Sequence, residues 1–92
     1  PPPEREVEIV AAESGLKPER VKPLVLLANR LRGLAGQDLE EGVSTRLLVY
    51  AGSLIARGIE ARAACSMTLV RPLTDDPDLR ETLEAAVATF FG

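Results

Sequence analysis

The sequence predicts an all-α domain, a small bundle of about five helices. Apolar residues recur at spacings of three and four along most of the chain, which is typical of amphipathic helices. Gly, Pro and Asp interrupt these segments at short intervals. Aromatic residues make up 3% of the chain, so the side chains that favour strands are scarce. A length of 92 residues predicts one domain, residues 1–92, because separate cores need longer chains.

Proline and glycine bound the first two predicted helices. Helix one begins near Pro3 and ends at Gly15, a residue that readily adopts the left-handed conformation. Its apolar face is Val7, Val10 and Ala11. Helix two begins after Lys17, and Gly33 and Gly36 mark its end. Its apolar face is Val21, Leu24, Ala28 and Leu31. Because Pro23 removes a backbone hydrogen bond, this helix either starts at Pro23 after a turn containing Pro18, or is kinked near its start.

A polar segment separates helices two and three. Residues 37–43 predict an acidic loop that faces solvent or a basic partner through Asp38, Glu40 and Glu41. Helix three opens at Ser44, a favourable N-cap residue, and runs to Gly58. Its predicted buried face is Leu47, Tyr50 or Ala51, Leu54 and Ile55.

Two further helices complete the prediction. Helix four runs from about Glu60 to Val70 and ends before Pro72, with a buried face of Ala63, Ala64, Met67 and Leu69 or Val70. Helix five begins with Asp76 as N-cap and Pro77 at its first position, and Asp78 and Glu81 lie near its positive end. Its apolar stripe is Leu79, Leu83, Ala86, Val87 and Phe90.

Composition and charge exclude several classes of function. Eleven Lys and Arg against fourteen Asp and Glu give a net charge of −3, which has the wrong sign for binding nucleic acid. The absence of histidine and the single cysteine exclude zinc sites of the Cys/His type, histidine-based triads and an internal disulfide. We expect a cytoplasmic protein without membrane insertion. Because the chain starts at Pro1 and its one methionine is Met67, we expect a piece of a longer polypeptide.

Arg46 is the leading candidate for a functional side chain. It falls in the first turn of helix three, where unpaired amide groups and the helix dipole already make the surroundings positive. A cation there is favourable when an anion binds, because helix amides and an arginine fork together form a phosphate site. The alternative is an ion pair between Arg46 and Asp38, Glu40 or Glu41 in the preceding loop.

Other candidate sites have simpler interpretations. Asp75, Asp76 and Asp78 could suggest a metal site, but the further ligands and glycine of a calcium loop are missing, so helix capping explains them. Ser14 and Lys17 match the Ser-x-x-Lys of serine acyltransferases without its companion motifs. Cys65, flanked by alanine, is interpreted as a small buried apolar residue. No glycine-rich phosphate loop occurs, so this chain alone cannot hold a nucleoside triphosphate.

Three blocks of sequence carry a resemblance to a known family: residues 31–34 (LRGL), 41–52 (EGVSTRLLVYAG) and 72–77 (PLTDDP). They resemble the C-terminal domain of the CbbQ/NirQ/NorQ group of MoxR-type AAA+ ATPases. The resemblance extends over essentially the whole chain. It implies a helical lid that closes over ATP and Mg²⁺ bound to a nucleotide-binding core upstream of these residues.

The resemblance also implies a role for Arg46 and a set of partners. By position, Arg46 corresponds to the family's sensor-2 arginine, which contacts the γ-phosphate from the start of a lid helix. Members of the group form homo-hexamers and work with a partner that carries a von Willebrand factor A domain. Their implied target is an enzyme such as Rubisco or nitric oxide reductase.

Two other functions compete with the lid. In the first, the chain is a stand-alone helical interaction module that binds a protein through an apolar groove, without nucleotide, and Arg46 pairs with the acidic loop. In the second, helices two and three form a helix-turn-helix. The negative net charge disfavours that reading.

Overall fold

The computed structural model describes residues 2–35 and 43–92, and every regular element in these two ranges is helical. The predicted all-α class is therefore confirmed, as is the order of the helices. The elements are α1 (Pro3–Ser14), α2 (Pro18–Ala35), α3 (Thr45–Ala56), α4 (Ala61–Cys65) with its π-helical continuation (Ser66–Val70), and α5 (Pro77–Phe91). The loop predicted for residues 37–43 lies outside the described residues except for Val43.

The boundaries of α1 and α2 follow from their glycine and proline residues. Gly15 adopts a φ of 83° and its amide bonds to the carbonyl of Ala11, which ends α1 as predicted. Helix α2 starts at Pro18 and includes Pro23. Packing explains this, because the neighbouring Val21 and Leu24 are fully buried and hold the first turns in helical form. Gly33 does not end α2, and Gly36 lies outside the described residues.

Helix α3 starts where the sequence predicts, but the residues on its buried face differ in part from the predicted ones. The side-chain oxygen of Ser44 accepts a hydrogen bond from the amide of Leu47 and caps the helix. The helix ends at Ala56, two residues before Gly58. Tyr50 is 51% exposed, so Ala51 is the core residue of the two alternatives. The residues that α3 buries are Leu48, Ala51, Gly52 and Ile55, whereas Leu47 and Leu54 are half-buried.

The prediction for helix four was right about its extent and wrong about part of its face. After one α-helical turn the chain widens, and the amide of Arg71 bonds to the carbonyl of Ser66, five residues back. The wider turn changes which side chains point inward, so Leu69 and Val70 are both buried. Ala63 is exposed and Met67 is 47% exposed, contrary to the prediction.

The core is a single apolar cluster to which all the helices contribute. Helix α1 packs against α2 and α3, and α2 packs against α5. Gly52 allows a close approach of α3 to α1, since a Cβ at that position would lie 2.8 Å from Oγ of Ser14. Helix α5 buries Leu83, Ala86 and Val87. Its other predicted core residues, Leu79 and Phe90, are partly buried. None of the helices described is both long and apolar enough to cross a membrane.

Candidate functional site

Arg46 occupies the second position of α3, and its side chain is exposed. Within the ranges that the structure describes, its guanidinium makes no ion pair or hydrogen bond. The acidic residues of the alternative interpretation, Asp38, Glu40 and Glu41, lie outside those ranges. The first bond within the helix runs from the amide of Leu48 to the carbonyl of Ser44, at 3.3 Å. The amide of Leu47 is capped by Ser44, whereas the amides of Thr45 and Arg46 have no acceptor among the described residues and contribute to a positive site.

A surface cleft of about 420 Å³ lies between α1 and α3 beside this arginine. Its lining combines apolar and aromatic side chains with charged ones. Its lining residues are Ile9, Glu13, Thr45, Arg46, Val49 and Tyr50. The cleft can thus take a ligand that joins an anionic group to a flat apolar part. The carboxylate of Glu13 weakens the attraction for an anion, because it carries the same sign of charge.

A partly buried ion pair lies behind the start of α3, since one of its two members, Arg32, is 33% exposed. Glu6 is 1% exposed and is the one charged side chain that is buried in the described part of the chain. Arg32 of α2 binds it through two nitrogens, with Nη1 at 3.0 Å from Oε1 and Nη2 at 2.8 Å from Oε2. Two parallel bonds of this kind fix the relative orientation of both groups. The pair therefore joins α1 to α2.

The same two side chains also hold the backbone on both sides of Ser44. Nε of Arg32 donates to the carbonyl oxygen of Val43 at 2.8 Å. The hydroxyl of Thr45 donates to Oε2 of Glu6, also at 2.8 Å. The residue before the cap and the residue after it are thus both tied to the ion pair. We call Glu6, Arg32, Thr45 and the carbonyl of Val43 the α3 clamp.

The electrostatics of the α3 clamp keep Glu6 ionised. Hydrogen bonds from Arg32 lower the pKa of the Glu6 carboxyl below its ordinary value of 4.5; burial opposes this, and the Thr45 hydroxyl adds to the lowering. The charge of Glu6 is balanced by that of Arg32. The carboxylate therefore does not need Arg46 as a partner.

Sequence reasoning singled out Arg46 but missed Glu6 and Arg32. One signal for Glu6 was present: it lies four residues before the buried Val10, a spacing that places both on one face of α1. A carboxylate on the buried face of a helix needs a partner. The identity of that partner is not visible locally, because Arg32 is 26 residues away in the sequence.

The other candidates behave as structural residues. Oδ1 of Asp76 accepts from the amide of Asp78, which is the predicted cap, and no group of metal-ligating side chains occurs among the residues described. Oγ of Ser14 accepts from the amide of Leu16. Cys65 is fully buried, and burial together with the nearby charge of Glu84 raises the pKa of its thiol to about 12. Its interpretation as a small buried residue is confirmed.

Comparison with known proteins gives one family and several close relatives. The sequence profile described as CbbQ/NirQ/NorQ C-terminal matches residues 6–90. The protein CbbQ of Hydrogenophilus thermoluteolus is 58% identical over 91 residues, which is 99% of this chain. The protein NorQ of Paracoccus denitrificans is 54% identical over 92 residues, the whole of this chain. The denitrification regulatory protein NirQ of Pseudomonas aeruginosa is 44% identical over 77 residues, or 84% of the chain.

These relatives are much longer than the chain. The match covers 34% of the length of CbbQ and of NorQ, and 30% of the length of NirQ. The chain thus spans about a third of the length of the curated relatives it matches.

Proposed function

Because the chain belongs to the CbbQ/NirQ/NorQ C-terminal family, we propose that it is the helical lid of a MoxR-type AAA+ ATPase. The family match over residues 6–90 and the all-helical fold support this role. The share of the relatives that the chain covers leaves ample length for a nucleotide-binding core in the complete protein. In this proposal the core holds ATP and Mg²⁺, and the lid closes over them.

The lid would contribute Arg46 as the sensor-2 residue. The observation that carries this assignment is the exposed position of Arg46 at the positive end of α3, where a cation is unfavourable unless an anion binds. A γ-phosphate supplies that anion. As negative charge redistributes over the transferring phosphoryl group, the guanidinium and the first amides of α3 stabilise it. Movement of the lid would then follow the presence of the γ-phosphate.

The proposal extends to the assembly that the resemblance implies. We place the protein in the cytoplasm as a homo-hexamer that works with a partner carrying a von Willebrand factor A domain. Its target is an enzyme such as Rubisco or nitric oxide reductase. The relative NirQ is named a denitrification regulatory protein, which is consistent with an ATPase that acts on another enzyme.

The test is Arg46→Ala in the full-length protein, with ATP turnover as the measurement. We expect turnover to fall about 100- to 1,000-fold, the range typical for loss of one group that stabilises transition-state charge. Arg57→Ala is the matched control, since Arg57 is an exposed arginine at the opposite end of the same helix. A folded Arg46→Ala protein with unchanged turnover would refute the sensor role and favour the interaction module.

A further inference from the structure

The start of α3 is held more firmly than capping requires. Ser44 already caps the helix through its hydrogen bond to Leu47. The next residue, Thr45, nevertheless reaches across to Glu6 of α1, 39 residues earlier in the sequence. This bond adds nothing to the hydrogen bonding of α3 itself. Its effect is to fix where the first turn of α3 lies relative to α1.

We propose that Thr45 is a positioning residue that fixes the first turn of α3, and hence Arg46, through its hydrogen bond to the buried Glu6. This inference rests on the proposed function, because it assumes that Arg46 contacts the γ-phosphate. The side chain of arginine samples many rotamers, and the position of its backbone sets the region that its guanidinium can reach. Small displacements of a group that contacts a reacting phosphate reduce its contribution strongly.

Burial and shared bonding make the α3 clamp suited to this role. Oε2 of Glu6 accepts from both Arg32 and Thr45, each at 2.8 Å. Movement of Thr45 away from Glu6 would break one bond of a buried carboxylate that is otherwise fully engaged, which carries a free-energy penalty. Arg32 restricts the other side by binding the carbonyl of Val43. The backbone at Ser44 is therefore fixed from two directions.

The charges of the α3 clamp support positioning rather than direct contact with the ligand. Glu6 is neutralised by Arg32, so the pair presents no net charge to the cleft. Glu6 is also buried, whereas Arg46 is exposed. Thr45 lines the cleft and links the two. Removal of the Thr45 hydroxyl should therefore weaken the binding of the γ-phosphate without altering the affinity for the rest of the nucleotide.

The experiment compares the affinities of ATPγS and ADP, each with Mg²⁺, for the full-length protein and its Thr45→Val variant. Valine keeps the shape of threonine and removes the hydroxyl. We expect the preference for ATPγS over ADP to fall roughly 3- to 10-fold, the factor that one hydrogen bond is worth, with ADP affinity unchanged. Thr45→Ser restores a hydroxyl at the same position and should retain the preference.

Thr68→Val is the matched control. Thr68, in the π-helical segment, is also half-buried and donates its hydroxyl at 2.8 Å, but to the carbonyl of Ala64 in α4. Its substitution removes a bond of the same length without touching the α3 clamp. The preference for ATPγS should not change in this variant.

The double variant Thr45→Val/Arg46→Ala separates positioning from a general structural effect. If Thr45 acts through Arg46, the double variant has the same preference as Arg46→Ala alone. Three outcomes would overturn the positioning role and leave the sensor role standing. The losses of the two single variants could add in the double variant, or Thr45→Val could lower the affinities for ATPγS and ADP equally. The third is that Thr45→Val keeps the preference for ATPγS while Arg46→Ala reduces it. An unchanged preference in Arg46→Ala would overturn both.

Discussion

The starts of α3 and α5 are built in different ways. At α5 all the bonds are local: the amide of Asp76 bonds to Thr74, Asp76 caps Asp78, and Arg80 reaches back to the carbonyl of Thr74. At α3 a cap of the same kind is supplemented by contacts to residues 11 and 39 positions away in the sequence. Both helices begin at a residue whose side chain caps the first turn. Only α3 begins at a place set by the rest of the fold.

The difference concerns orientation more than helix formation. A local cap stabilises a helix start but leaves its direction to the apolar face. A buried ion pair is a weak source of stability, since desolvation of the charges offsets much of their attraction. What the pair provides is a defined geometry, because bidentate bonds tolerate little displacement. The molecule has this arrangement at the end of α3 that carries Arg46, whereas the start of α5 depends on local bonds, two of them exposed and one partly buried.

The largest effect should come from breaking the ion pair. Arg32→Met leaves the buried Glu6 without its partner. Because Arg32 itself is 33% exposed, we expect the free energy of unfolding to fall by about 3 kcal/mol, the lower end of the range for a fully buried pair. Arg80→Met is the counterpart at the start of α5. It removes an ion pair of 3.8 Å to the fully exposed Asp75 and a long hydrogen bond of 3.4 Å to the carbonyl of Thr74. It also removes a buried Nε atom that has no partner among the described residues, so stability should hardly change. Chemical unfolding followed by circular dichroism measures both.

A double variant tests whether the uncompensated charge of Glu6 causes the loss of stability in Arg32→Met. Glu6→Leu combined with Arg32→Met replaces the buried ions by apolar groups, which is often neutral for stability. The double variant should recover part of the loss seen in Arg32→Met. If it is no more stable than Arg32→Met, the uncompensated charge of Glu6 is not the cause, and the contrast between α3 and α5 loses its electrostatic basis.

An intermediate effect is expected where α3 crosses α1. Gly52→Ala places a Cβ 2.8 Å from Oγ and 2.9 Å from Cβ of Ser14, so the two helices must separate. We expect a loss of about 1–3 kcal/mol in the free energy of unfolding. Gly33→Ala in α2 is the control, because a Cβ there has no neighbour within 4 Å and alanine favours helix by up to about 1 kcal/mol. Equal effects at both glycines would show that close packing does not hold α3 against α1.

The same contrast explains how much the sequence could predict. The start of α5 was predicted correctly because its cap and first proline are neighbours in the chain. Ser44 and Arg46 were found for the same reason. The α3 clamp was missed because its bonds join residues that only the tertiary fold brings together. Met67 was wrongly predicted to be buried because no local residue pattern indicates the π-helical turn that follows Cys65.

The smallest effect is a dependence on pH that the α3 clamp alone should show. The pKa of Glu6 is lowered in the folded chain, so its charge adds stability above the ordinary value of 4.5. That contribution is lost as the pH falls through the folded pKa. We therefore expect the stability difference between the natural chain and Glu6→Gln to be constant near neutral pH and to shrink on acidification below about pH 4.5.

Salt provides the control for this last comparison. A partly buried pair is screened less than an exposed one, so added NaCl should reduce the difference at neutral pH only modestly, whereas exposed pairs lose their contribution. Unfolding midpoints of both chains between about pH 7 and pH 3 test the expectation. A difference that does not vary with pH would mean that shape, not charge, holds Glu6 in place. The start of α3 would then differ from that of α5 only in the number of its hydrogen bonds, and a neutral side chain could orient Arg46 equally well.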